Sequence, residues 1–204
     1  MKTGVYGGSF DPIHAGHAAM ARYVAENAGL DRVMMLVSPL NPLKTGAPPM
    51  FSDEERLSMA KEAMKGTDRV EVSGFEMDLP RPSYTLQTLE ALSMTFPDDD
   101  FSLVIGADNL LSFNRWKEPE KLLRRFGLIV YPRPGVDLTR EMVSDIENEY
   151  GSPGKIVYLA DAPVTDISST TLRRKLTEGS DLRGLIPEGA LRVIKDSGRF
   201  QIRT

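Results

Sequence analysis

The chain contains no cysteine. That excludes disulfides and thiol chemistry, and it removes the residue that most structural zinc sites need to complete a ligand set. No apolar run approaches membrane-spanning length, so no membrane partner is expected. Nor is there a basic excess: 25 Lys and Arg against 29 Asp and Glu give a net charge of −4, which argues against a surface that coats nucleic acid. The lack of cysteine does not fix the compartment, but no basic, apolar leader precedes the first strand-like segment, and the cytoplasm is therefore the expected compartment. No G-x-G-x-x-G follows that first strand, which sets a dehydrogenase aside. Small anionic substrates need only local positive charge and stay open.

Histidine is nearly absent too. The only two, His14 and His17, fall in one stretch, Gly7-Gly8-Ser9-Phe10-Asp11-Pro12-Ile13-His14-Ala15-Gly16-His17, directly after the strand-like Lys2-Thr3-Gly4-Val5-Tyr6. From Ala18 onward the pattern reads as helix. A Gly-rich turn that opens a helix offers free amides and the positive end of the helix dipole to an anion. Two imidazoles there add donors suited to a polyphosphate whose charge shifts during reaction.

At 204 residues the chain is expected to form a single domain over 1–204. Short continuous apolar runs at Val33–Val37, Phe101–Ile105, Phe126–Val130 and Ile156–Leu159 alternate with helical patterns. Strands of that kind are covered on both faces, which predicts an α/β fold with a doubly wound parallel sheet. Met20, Tyr23, Val24, Asn27 and Ala28 mark the buried face of a first helix; Ser52-Asp53-Glu54-Glu55 reads as a capping box, with Leu57, Ala60 and Met64 buried behind it; Leu86, Leu89, Leu92 and Phe96 mark a third helix. Glu141 to Glu149 reads as an exposed acidic helix. The proline-rich stretch Pro39 to Pro49 can be neither helix nor central strand; as an active-site loop it would let Lys44 reach a phosphate.

A second phosphate signal lies far along the chain. In Ile167-Ser168-Ser169-Thr170-Thr171-Leu172-Arg173, Ser168 or Ser169 can cap a helix while Arg173, four residues beyond Ser169, lies on the same face as that serine. Gly106 permits close backbone approach at the end of a strand, and Asp108 can accept from ribose hydroxyls. Trp116, the only tryptophan, offers a face on which a flat ring could stack.

The H-x-G-H turn paired with the I-S-S-T-x-x-R segment resembles the nucleotidyltransferase superfamily. Arg81-Pro82-Ser83-Tyr84-Thr85, Ile105-Gly106-Ala107-Asp108-Asn109 and Arg115-Trp116 resemble, within it, the bacterial nicotinate mononucleotide adenylyltransferase family over nearly the whole length. The resemblance implies a Rossmann-like fold, ATP and nicotinate mononucleotide as partners, deamido-NAD and pyrophosphate as products, and Mg2+ coordinated by the phosphates. Carried over by position, the catalytic set is His14, His17, Lys44 and Arg173. Gly8, Ser9, Phe10, His14, His17, Gly106, Asp108, Ile167, Ser168, Ser169 and Arg173 would meet ATP, and Ser9, Lys44, Tyr84, Thr85, Asp108 and Trp116 would meet the mononucleotide, with no protein metal ligand. Two departures stand out: Leu43 occupies the place of the family's loop histidine, and Arg81-Pro82-Ser83 lacks the glycine usual there. A sister transferase acting on another phosphate and a non-catalytic nucleotide sensor are the rival readings, and a homo-oligomer is left open.

Overall fold

The computed structural model describes residues 1–39 and 49–200. The element order is β1 (Lys2–Gly8), α1 (Ala15–Asn27), β2 (Arg32–Val37), α2 (Asp53–Met64), β3 (Val70–Ser73), a 3-10 turn (Phe75–Asp78), α3 (Thr85–Thr95), β4 (Asp100–Gly106), α4 (Ala107–Leu111), a second 3-10 turn (Phe113–Arg115), α5 (Pro119–Phe126), β5 (Leu128–Tyr131), α6 (Arg140–Glu149), β6 (Ile156–Tyr158), α7 (Ser169–Thr177) and α8 (Glu188–Asp196). The six strands form one sheet in the order β3-β2-β1-β4-β5-β6, and every pairing is parallel. The expected doubly wound α/β architecture is present.

Alternation along β2 shows why both faces must be covered. Val33, Met35 and Val37 pack with Met20, Val24, Met59 and Ile194 from α1, α2 and α8 on one face. Met34 and Leu36 pack with Leu89, Leu92, Leu110 and Leu123 from α3, α4 and α5 on the other. A strand buried on both sides has no polar face to display, hence its unbroken apolar run.

Three boundaries differ from the sequence reading. Helix α1 begins at Ala15, three residues before the expected start, so His14 caps it and His17 lies within its first turn. Phe126 and Gly127 do not belong to β5: Phe126 ends α5, and Gly127 turns the chain with φ of +68°, a left-handed conformation that glycine adopts without a Cβ clash. Strand β3 was missed because Val70-Glu71-Val72-Ser73 forms an edge, only half-buried, where apolar patterning weakens. The acidic α6 is exposed as expected, with Val143 as its buried contact.

The order of strand addition reverses between β1 and β4, with β2 and β3 on one side of β1 and β4, β5 and β6 on the other, which makes this the sheet's topological switch point. In open parallel sheets the crevice beyond the carboxyl ends of such strands is where ligands bind, and a cleft opens there.

Candidate active site

The cleft has a volume of about 560 Å3. It is lined by the carboxyl ends of β1 and β4, by the turn Gly8-Ser9-Phe10 with His17, and by Tyr84, Thr85 and Trp116.

Local forces fix the turn. Asp11 is buried and accepts from Met50 N at 2.9 Å and Phe51 N at 3.0 Å, which ties the turn to the entrance of α2. His14 and His17 cap α1 reciprocally: His17 N donates to His14 Nδ1 and His14 N donates to His17 Nδ1, each at 3.3 Å. Gly16 makes this possible, since a Cβ there would come within 2.6 Å of Thr165 Oγ1 and 3.1 Å of the His14 ring. His17 lines the cleft, whereas His14 lies beneath it, 3 % exposed. Burial, helped by the charge of Arg133, pushes the His14 pKa down from 6.5 to about 4, so this imidazole is neutral at physiological pH.

The start of α1 does not present the row of free amides that its sequence suggests. Ala15 N donates to Leu185 O at 2.9 Å and His17 N is held by His14. What α1 offers an anion is therefore its dipole together with the imidazole edge of His17.

The distant serine-arginine segment does meet the histidine turn. Ser168 caps α7 by accepting from Thr171 N, leaving Ser169 to donate to Pro12 O at 3.1 Å and to face the cleft. Arg173 Nη1 donates to Asp11 O at 2.8 Å, and Nη2 donates to Thr170 Oγ1 at 3.0 Å. Arg173, Ser168 and the half-buried Ile167 are not among the residues that line the cleft.

Gly106 ends β4 so that Arg133 can cross: a Cβ at that position would meet Asp108 and come within 2.6 Å of Arg133 Nε. Asp108 is exposed and pairs with Arg133 at 3.4 Å. Elsewhere along the cleft Lys117 Nζ sits 4.3 Å above the Tyr84 ring, and Trp116 packs against Phe113 with centroids 5.6 Å apart. Among the described residues, Arg56 Nε, Trp116 Nε1 and Arg133 Nε are buried without a hydrogen-bond partner. Lys44 and Leu43 lie outside the described residues.

Sequence reasoning missed three residues here. Arg133 lies on the cleft wall. Glu76, 7 % exposed, collects hydroxyl donors from Ser38, Ser83 and Thr88. Arg56 is fully buried in α2. Its signal was present: Arg56, Met59, Ala60, Ala63 and Met64 are the buried residues of α2, a complete i, i+3, i+4, i+7, i+8 stripe broken by one arginine.

Comparison with known proteins adds the family. The profile described as cytidylyltransferase-like matches residues 5–175. A Bacteroides fragilis protein named "Probable nicotinate-nucleotide adenylyltransferase" is 43 % identical over 89 % of this chain and 85 % of its own. A Porphyromonas gingivalis protein of the same name is 40 % identical over 92 % of this chain and 90 % of its own. The chain belongs to the cytidylyltransferase-like family, in its nicotinate-nucleotide adenylyltransferase branch. Among solved structures in this fold is the Plasmodium falciparum nicotinic acid mononucleotide adenylyltransferase complexed with NaAD, with a TM-score of 0.75 and 16 % identity over 99 % of this chain and 98 % of that one. At that identity the likeness concerns the fold. The histidine turn and the residues Tyr84, Thr85 and Trp116 line one and the same cleft.

Proposed function

We propose that the chain joins ATP to nicotinate mononucleotide, forming deamido-NAD and releasing pyrophosphate. The observation that carries this reading is the shared cleft, lined both by His17 with the Gly8-Ser9-Phe10 turn and by Tyr84, Thr85 and Trp116. Its place at the β1–β4 switch point supports the same reading.

The 5′-phosphate of the mononucleotide attacks the α-phosphorus of ATP directly. A phosphate monoester is already an anion, so no protein nucleophile is required; the protein aligns the two molecules and offsets the charge that accumulates on the leaving pyrophosphate. His17 donates toward that charge from within the first turn of α1. His14 stays neutral and holds the His17 ring by stacking and by the reciprocal cap. Ser169 and the amino end of α7 face the ATP tail, and Arg173 fixes the turn from behind through Asp11. Trp116 and Tyr84 stack on the pyridine ring, while Gly106 and Asp108 border the adenosine.

Among the described residues, no group of three or more histidine, aspartate or glutamate side chains is placed to hold a metal ion. Mg2+ would enter with ATP as part of the substrate, held by phosphate oxygens, and would supply Lewis-acid stabilisation of the transferring group. Among the described residues no helix is long and apolar enough to cross a membrane.

The test is pyrophosphate release from ATP in the presence of nicotinate mononucleotide, nicotinamide mononucleotide or phosphopantetheine. The acid pyridine nucleotide is expected to give the highest kcat/KM. Turnover with phosphopantetheine alone makes the protein a sister transferase, and ATP binding without pyrophosphate release from any pair makes it a sensor.

A further inference from the structure

Ser38, directly after β2, is half-buried on the cleft wall, and its three polar groups reach three separate parts of the site. Its N–H donates to Gly8 O at 2.9 Å. Its carbonyl accepts from Arg56 Nη1 at 2.8 Å, and its Oγ donates to Glu76 Oε2 at 2.5 Å.

Both charged partners are buried, and each reaches further. Arg56 Nη1 also donates to Ser9 O at 2.5 Å, inside the Gly-rich turn. Glu76 Oε1 accepts from Ser83 Oγ at 2.9 Å and Thr88 Oγ1 at 3.0 Å, on either side of the start of α3. An unbroken series of hydrogen bonds therefore runs from the phosphate turn through Ser38 to the wall that carries Tyr84 and Thr85. Because an unpaired polar group at low dielectric is unfavourable, such a series favours one arrangement of the groups it joins, even though Arg56 Nε itself stays without a partner among the described residues.

We propose that Ser38 is a positioning residue for the transfer. It touches neither reacting phosphate; through its hydroxyl it sets the spacing between the turn that holds ATP and the wall that holds the mononucleotide. This rests on the function proposed above, in which the two molecules must meet in line, and small errors of placement lower the rate steeply.

Ser38→Ala removes the hydroxyl and leaves both main-chain bonds in place; Ser38→Thr keeps a hydroxyl. Steady-state kinetics with ATP and nicotinate mononucleotide should show kcat reduced roughly tenfold in Ser38→Ala, KM for ATP changed by about twofold or less, and kcat recovered in Ser38→Thr. Hydrogen exchange on the unliganded protein should show the first turn of α3 exchanging roughly tenfold faster in Ser38→Ala. Unchanged exchange there overturns the inference, as does an equal loss for both substrates with no recovery in Ser38→Thr. A wild-type protein that releases no pyrophosphate with any pyridine mononucleotide defeats the proposed function instead, and the exchange experiment, which needs no substrate, still decides whether Ser38 holds the wall.

Discussion

The imidazoles of His14 and His17 lie face to face, ring centroids 3.6 Å apart and planes inclined by 20°, and each Nδ1 accepts a main-chain N–H from the other residue. With Nδ1 occupied as an acceptor, the neutral His14 ring carries its proton on Nε2. The two rings behave as one unit whose properties depend on His14 staying uncharged.

That dependence gives stability a defined response to pH. The folded His14 pKa of about 4 lies below the ordinary 6.5, so between these values the unfolded chain binds the proton and the folded chain does not. Stability from this residue is full above pH 6.5 and declines as pH falls toward 4, by about 3 kcal/mol over the whole interval. Denaturant titrations from pH 7 to pH 4 should show the decline, and His14→Gln should flatten this part of it.

Arg133 helps to hold the His14 pKa down. Removing its charge in Arg133→Gln should raise that pKa toward 6.5. Titration of the His14 ring proton by NMR checks this, and an unchanged or lower value contradicts it.

His17 faces the cleft while His14 supports it from below. His17→Ala should therefore lower turnover on the order of a hundredfold and weaken ATP binding far less, because the contact is used most as charge develops. Equal losses in kcat and ATP affinity, measured by turnover and by calorimetry with an ATP analogue, would assign His17 to positioning alone.

Gly16→Ala inverts a usual preference. In an open helix the change stabilises by about 1 kcal/mol, but here the added methyl would crowd Thr165 and the His14 ring. A lower thermal midpoint together with reduced turnover is expected. A raised midpoint with wild-type turnover is the contrary result.

Trp116→Ala should raise KM for the mononucleotide by about tenfold, the loss of one aromatic stack, while leaving KM for ATP nearly unchanged. Parallel effects on both substrates would remove Trp116 from the pyridine end of the cleft.

The fold was legible because the strands that build its centre are buried on both sides, and β2 could only be written in apolar residues. The edge strand β3 carries Glu71 and Ser73 and left no such trace. At the site, the histidine turn and the serine-arginine segment announced themselves through residue types that are scarce or paired at helix starts. Glu76 and Arg133 did not, because each acts through partners brought close by the sheet, whereas Arg56 left a trace as the one charged residue in the buried stripe of α2. Glu76 meets Ser38, which is 38 positions away, and no local spacing encodes such a meeting. The burial of His14, 3 % exposed, was likewise not written in its local sequence.

Arg173 grips the carbonyl of Asp11 across 162 positions of chain. A ribosome that has released only the first three quarters of this polypeptide has therefore produced most of the sheet but not the back support of the phosphate turn. Competence to hold the nucleotide tail arrives late in synthesis, with the emergence of α7, and a fragment ending before Ser169 should fail to retain ATP however well its strands assemble.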